Sequence, residues 1–234
     1  MRQKRLAAGL VGAGSVAASN MTEYTPAELL SKYQSIRAPM TAEQFFRQRG
    51  LQRVREMWCA SRFAAGVDHH IAPCTVLMDD VDDQRSGDFA IRFEGGRTQT
   101  FELAEVQREG RRRGDEYRER GPGSQWLEAL MDPEEAMRHI HGAIEAKAQK
   151  FYSDQARLQL LVYVNLGARD LDPAEVQRYC EPVTAGFAGV WLLTGEMFGC
   201  IHQTPVQIKA PQWMVLPPVQ QATEEPPSDT ERLA

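Results

Sequence analysis

The sequence predicts an α/β fold in which helices flank a mixed central sheet. Three observations carry that expectation. Segment 158–166, LQLLVYVNL, is an almost continuous apolar run, the pattern of a strand buried on both faces. Segment 186–195, GFAGVWLLTG, has the same character. Before and between them helical patterns and an alternating hairpin follow one another, so helices and strands mix along the chain. The chain has 234 residues, enough for one domain of ordinary size plus its ends.

Composition excludes several classes. Hydrophobic residues make up 42% and charged residues 25%, a globular balance. No apolar run approaches the ~20 residues that a spanning helix needs. The four cysteines, at 59, 74, 180 and 200, make no CxxC or zinc spacing and exclude a disulfide-stapled miniprotein. A net charge of −5 argues against wholesale coating of nucleic acid but leaves room for a local basic patch. Scattered cysteines suit a cytoplasmic protein.

Residues 1–40 read as a largely flexible leader. Within it, 1–20 (MRQKRLAAGLVGAGSVAASN) sets basic residues before a small-residue stretch and imitates a secretory signal in outline. Its Ala, Gly and Val give little hydrophobic drive, so it reads as a disordered leader with Met21 as the working start. The domain is expected over 41–205. Thr41 and Gln44 form a capping box. The helix that follows carries Phe45, Phe46, Leu51, Val54, Trp58, Cys59 and Phe63, interrupted at Gly50 and ending near Gly66. CTVLM (74–78) reads as a strand. DFAIRF (88–93) and TQTFELAEV (98–106) alternate around EGGR and read as a hairpin. Asp132 and Pro133 open a helix to about Tyr152, with acids in its first turn. Asp172 and Pro173 open another, and MFGCIH (197–202) pairs with the strand before it. Residues 206–234 read as a Pro-rich, largely disordered tail whose apolar 213–216 docks on the domain before the rest frees itself.

The hairpin carries the chemistry. Phe89, Ile91 and Phe93 share one face of their strand, as Phe101 and Leu103 do of theirs. Matching apolar face to apolar face puts Asp88 and Glu102 on the same side. That register needs an odd loop or a bulge, which Gly95 and Gly96 permit. A tight two-residue turn would instead set Asp88 beside Leu103 and nearer Glu105. Two neighbouring carboxylates repel, and they persist where a divalent cation or a cationic side chain sits between them. Magnesium takes one or two protein carboxylates together with phosphate oxygens and water, which is what metal-assisted phosphodiester hydrolysis requires. The competing reading makes both residues solvated acids of an antiparallel sheet.

Arg111, Arg112, Arg113 and Arg118, with Arg108, Arg120 and Tyr117, form a candidate arm for backbone phosphate. Interleaved Glu109, Asp115, Glu116 and Glu119 support a self-paired, solvated segment equally well. Asp79, Asp80, Asp82 and Asp83 lack the spacing of a calcium loop. His139 and His141 stand two apart on a helix and face different sides, so they and His69 and His70 read as structural or surface residues. No GxSxG and no Gly-rich phosphate loop is present.

Asp88 opening one strand, with Phe101, Glu102 and Leu103 in the next, resembles the core of the PD-(D/E)xK nuclease superfamily. More narrowly, 101–117 (FELAEVQREGRRRGDEY), the helix at 55–59, KAQKFY (147–152) and LLVYVNL (160–166) resemble an uncharacterised bacterial family assigned to that fold. The resemblance covers roughly 41–205. It implies a restriction-endonuclease-like three-layer sandwich and a magnesium- or manganese-dependent enzyme acting on DNA or RNA. Asp88 and Glu102 then hold the metal, and Glu56 matches an acid that some members add. Gly87 stands where the family has Pro, and Ala104 stands where it has the lysine that activates water or steadies the transition state. Lys147 is the candidate migrated lysine. Gln107 is the alternative, through a variant Glu105-x-Gln107 motif. Ala104 also keeps open a catalytically silent member that serves as a nucleic-acid or protein binding module.

Overall fold

A computed structural model describes residues 21–48, 50–79, 87–107, 131–150, 152, 154–166, 171–205 and 208–219. Eight strands form one mixed sheet and lie in it in chain order: β1 (Met21–Tyr24), β2 (Cys74–Asp79), β3 (Phe89–Phe93), β4 (Thr98–Val106), β5 (Gln159–Val164), β6 (Gly189–Leu193), β7 (Met197–Gln203) and β8 (Met214–Val215). The two apolar runs are β5 and β6, side by side and parallel as a doubly buried pair should be. β4 also runs parallel to β5, and every other pairing is antiparallel.

Parallel neighbours need crossovers, and two helices supply them. Pro133–Ala148 lies between β4 and β5 in the chain, and Pro173–Thr184 between β5 and β6. Both begin on an Asp whose side chain accepts an N–H of the first turn, with proline in that turn. Strand alternation divides the core in two. Phe101, Leu161, Trp191 and Leu193 pack with Phe63 and Ala64 of the helix Gln52–His70. Val106, Leu160, Val162 and Leu192 pack on the other face with Ile140, Ile144 and Val176 of the crossover helices. Among the described residues the helices are, in chain order, α1 (Pro26–Arg37), α2 (Ala42–Arg47), α3 (Gln52–His70), α4 (Pro133–Ala148) and α5 (Pro173–Thr184).

Four boundaries differ from the sequence expectation. Residues 21–40 are not a flexible leader. β1 adds to the sheet edge, a Thr25–Glu28 capping box starts α1, and Leu29 is wholly buried in the α3-side core. The helix expected from Thr41 is two helices, because Gly50 turns the chain at φ 86°. α3 then runs past Gly66 to His70. Gly66 serves close packing, since a Cβ there would stand 2.5 Å from Phe198 Cε1 and 2.9 Å from Leu216 Cδ2. α4 stops at Ala148, short of Tyr152. The start of the tail does dock as expected, with β8 pairing β7 and Leu216 buried. Residues 1–20, Asp80, Asp82, Asp83 and the tail beyond 219 lie outside the described residues. Among the described residues no helix is long and apolar enough to cross a membrane.

Candidate functional site

The hairpin adopts the register that the apolar faces demand. Phe89 pairs with Phe101 and Ile91 with Gln99. The loop is odd: Phe93 N–H donates to the Arg97 carbonyl at 2.9 Å around Glu94, Gly95 and Gly96. Gly95 and Gly96 lie at φ 95° and 84°, a region costly for side-chain-bearing residues.

Asp88 stands where β3 begins while β4 runs on beside it. Its N–H donates to the Phe101 carbonyl at 2.8 Å, and its Oδ2 accepts the Leu103 N–H at 2.6 Å. The carboxylate thus continues the ladder one rung beyond the strand. Gly87 makes this possible. It lies at φ 83°, and a Cβ there would stand 2.8 Å from the Phe101 carbonyl oxygen.

Glu102 faces the α4 side of the sheet, and a cation meets it there. Lys147 Nζ, in the last turn of α4, lies 2.5 Å from Glu102 Oε1, with side-chain exposures of 17% and 14%. The Tyr152 hydroxyl donates to the same oxygen at 3.2 Å. From the other face of the sheet comes Glu56 of α3, 7% exposed. It accepts from Arg53 Nη1 at 3.1 Å and Gln52 Nε2 at 3.0 Å. Arg53 also donates to the Asp88 and Asp79 carbonyls, tying α3 to the ends of β2 and β3.

These surroundings push the Asp88 carboxyl up to about 7. Burial is the largest cause, followed by the negative charges of Glu56 and Glu102; the Leu103 N–H and Lys147 oppose it. Tyr152 is driven well above the ordinary phenol range by burial and by Glu102, so it remains a proton donor at neutral pH. A stability prediction follows with a definite sign. The folded carboxyl holds its proton more tightly than the unfolded one, so Asp88 contributes stability below about pH 4 that is lost as pH rises to about 7. With chelator present, Asp88→Asn should therefore gain on the wild type from pH 5 to pH 8 and then level off. The full difference corresponds to roughly 4 kcal/mol; because Asp88 is half-buried, about 2 kcal/mol is expected at pH 8. Denaturant melts at pH 5, 6, 7 and 8 check this, and a gain independent of pH would refute it.

The other expected residues separate. Glu105 alternates to the α3 face of β4, where its Oε1 accepts Asn165 Nδ2 at 3.0 Å. Gln107 lies just beyond the end of β4. The Glu105-x-Gln107 pair therefore does not join Asp88 and Glu102, whereas Lys147 does. Ala104, 6% exposed, packs in the core beneath α4, the helix that carries Lys147. Arg111, Arg112, Arg113 and Arg118 lie outside the described residues. Sequence reading missed Arg53 and Tyr152. Arg53 precedes Glu56 by three, the spacing of a helical ion pair. Tyr152 ends the KAQKFY string that begins with Lys147.

The donor set suits magnesium or manganese. Two hard carboxylates are present, each with a second oxygen that the bonds above do not use. Among the described residues no three His, Cys, Asp or Glu side chains converge into a cage, and magnesium does not need one, since water and phosphate oxygens complete its shell. No protein-family model matches the chain, and no curated protein or solved structure matches it.

Proposed function

We propose that this chain hydrolyses phosphodiester bonds of DNA or RNA with a divalent cation, in a restriction-endonuclease-like domain as its resemblance to PD-(D/E)xK nucleases implies. The observation that carries the reading is Lys147 on Glu102, on the sheet face where the absent strand lysine would project. Asp88 and Glu102 would hold Mg²⁺ or Mn²⁺. The bound cation supplies charge neutralisation at a phosphate and a water of lowered pKa. Lys147 brings Nζ to Glu102, where it supports negative charge developing on a phosphate oxygen. Tyr152 fixes the Glu102 rotamer. Glu56, bound by Arg53 and Gln52, acts on Asp88 through charge and through Arg53 rather than as a ligand of first choice.

One observation favours a silent binding module instead. Lys147 and Tyr152 both close on a single Glu102 oxygen, which is also how a purely structural buried pair is satisfied. Titrating Mg²⁺ and Mn²⁺ into the full chain separates the two readings. A filled site should raise the melting midpoint, by about 2.7 kcal/mol of stability at a hundredfold excess over Kd. Cleavage of single- or double-stranded DNA or RNA should need the metal, and Asp88→Asn should remove both responses while leaving the fold intact. Neither a melting response nor cleavage in the wild type selects the silent module.

A further inference from the structure

A second concave site lies across β4 from Glu102. It is a cavity of about 310 Å³ between α2, α3 and the β4–β5 end of the sheet, within the lower range of small-ligand sites. Its walls are aromatic. Trp58 and Tyr163 meet at 5.1 Å between ring centroids and 59° between planes, and Phe46 faces in from α2. All three rings are half-buried, which leaves part of each presented to the cavity or its mouth. Polar groups stand among them: Gln52, Arg55, Glu56 and Glu105.

The lining selects its ligand. Glu56 and Glu105 turn acceptor oxygens onto this lining, Glu56 already accepting from Arg53 and Gln52, while Arg55 donates. Aromatic faces favour a flat ring, and every nucleobase offers a π-face for stacking. Carboxylates accept hydrogen bonds and cannot donate them, so they match exocyclic amino groups. The cavity also shares a wall with the candidate catalytic site. Leu103 lines it while the Leu103 N–H holds Asp88, and Glu56 lines it while sharing Arg53 with the Asp88 carbonyl. We propose that this cavity holds one unpaired nucleobase bearing an amino group, next to a backbone phosphate at Asp88 and Glu102. This deepens the proposed function and rests on it for the location of the phosphate. A base locked in a duplex has its amino edge paired and its faces stacked, so the substrate class becomes single-stranded nucleic acid.

The test uses the full chain carrying Lys147→Ala with Mg²⁺ present, which keeps both metal-binding carboxylates and slows cleavage, so that binding is read with little turnover. Fluorescence anisotropy compares three labelled probes of equal length: a mixed-sequence single strand, the same backbone with abasic residues, and a blunt duplex. The base-bearing strand should bind about tenfold tighter than the abasic one, the scale of one stacked base. Adding Trp58→Ala should remove that difference and leave abasic binding unchanged. Phe46→Ala, on the short α2, tests the same point if Trp58→Ala fails to fold. A deoxycytidine homopolymer, with its N4 amino donors, should outbind a thymidine homopolymer. Equal binding of base-bearing and abasic strands, an equal loss of both in Trp58→Ala, or no preference over duplex would overturn the pocket. Wild-type cleavage is scored separately. Metal-dependent cleavage with base-independent binding leaves the proposed function standing without the pocket. Base-dependent binding without cleavage leaves the pocket standing on a silent module.

Discussion

Val162→Asp is expected to yield no soluble, cooperatively melting protein. Val162 is wholly buried in β5, between Ala104 of β4 and Leu192 of β6, and faces the core formed with α4 and α5. An aspartate there has no water to solvate it. An unpaired buried charge costs several kcal/mol even after relaxation, comparable to the 5–15 kcal/mol that holds a domain together. Glu102 shows what an acidic side chain needs there. It sits on the same sheet face, partly exposed, and Lys147 and Tyr152 both bond its carboxyl group. Val162→Ala serves as the control. It leaves a small cavity without a charge and should remain folded with a lowered midpoint. Soluble yield and a thermal melt read both variants, and a cooperatively melting Val162→Asp would mean that β5 is not the buried centre of the sheet.

What was legible in the sequence follows from how local each signal is. β5 and β6 were legible because a strand buried on both faces must be apolar at every position. The hairpin register was legible because a one-residue slip would turn Phe89, Ile91 and Phe101 out of the core. Lys147 was placed as a lysine on the helix that follows the hairpin in the chain. The face on which Glu105 ends, away from Asp88, follows from the same alternation that put Glu102 beside it. Other features depended on partners far away in the chain. The segment 21–40 looked like a leader because α1 has one buried residue, Leu29, whose partners lie in α3 and the sheet. Gly66 looked like a helix end because Phe198 and Leu216, which need its missing Cβ, come more than a hundred residues later. Tyr152 sits beyond the end of α4, so no periodicity pointed it at Glu102. The aromatic cavity joins α2, α3, β4 and β5, and no single stretch of sequence contains it.

Lys147→Ala is expected to separate metal binding from turnover. Asp88 and Glu102 keep their carboxylates, so the rise in melting midpoint on adding Mg²⁺ or Mn²⁺ should persist. Turnover should fall by the ~10²–10⁴ that a positioned acid–base group supplies. The metal-free protein should lose stability as well, because Glu102 is left mostly buried beside Asp88 without its cation. Breaking one partner of a fully buried pair costs about 3–5 kcal/mol, and the partial exposure here brings the expectation to about 2 kcal/mol. A structural role alone would produce that loss, so the deciding readout is the pH profile. Lys147 holds the Asp88 carboxyl down against burial and its acidic neighbours. Removing it should therefore raise the pH at which the metal first stabilises the protein, relative to the wild type at the same metal concentration. Lys147→Arg keeps a cation on Glu102 and should restore stability and the wild-type pH profile, with only part of the turnover. An unchanged profile and unchanged turnover in Lys147→Ala would show the Lys147–Glu102 pair to be packing alone, and the hydrolytic reading would fall with it.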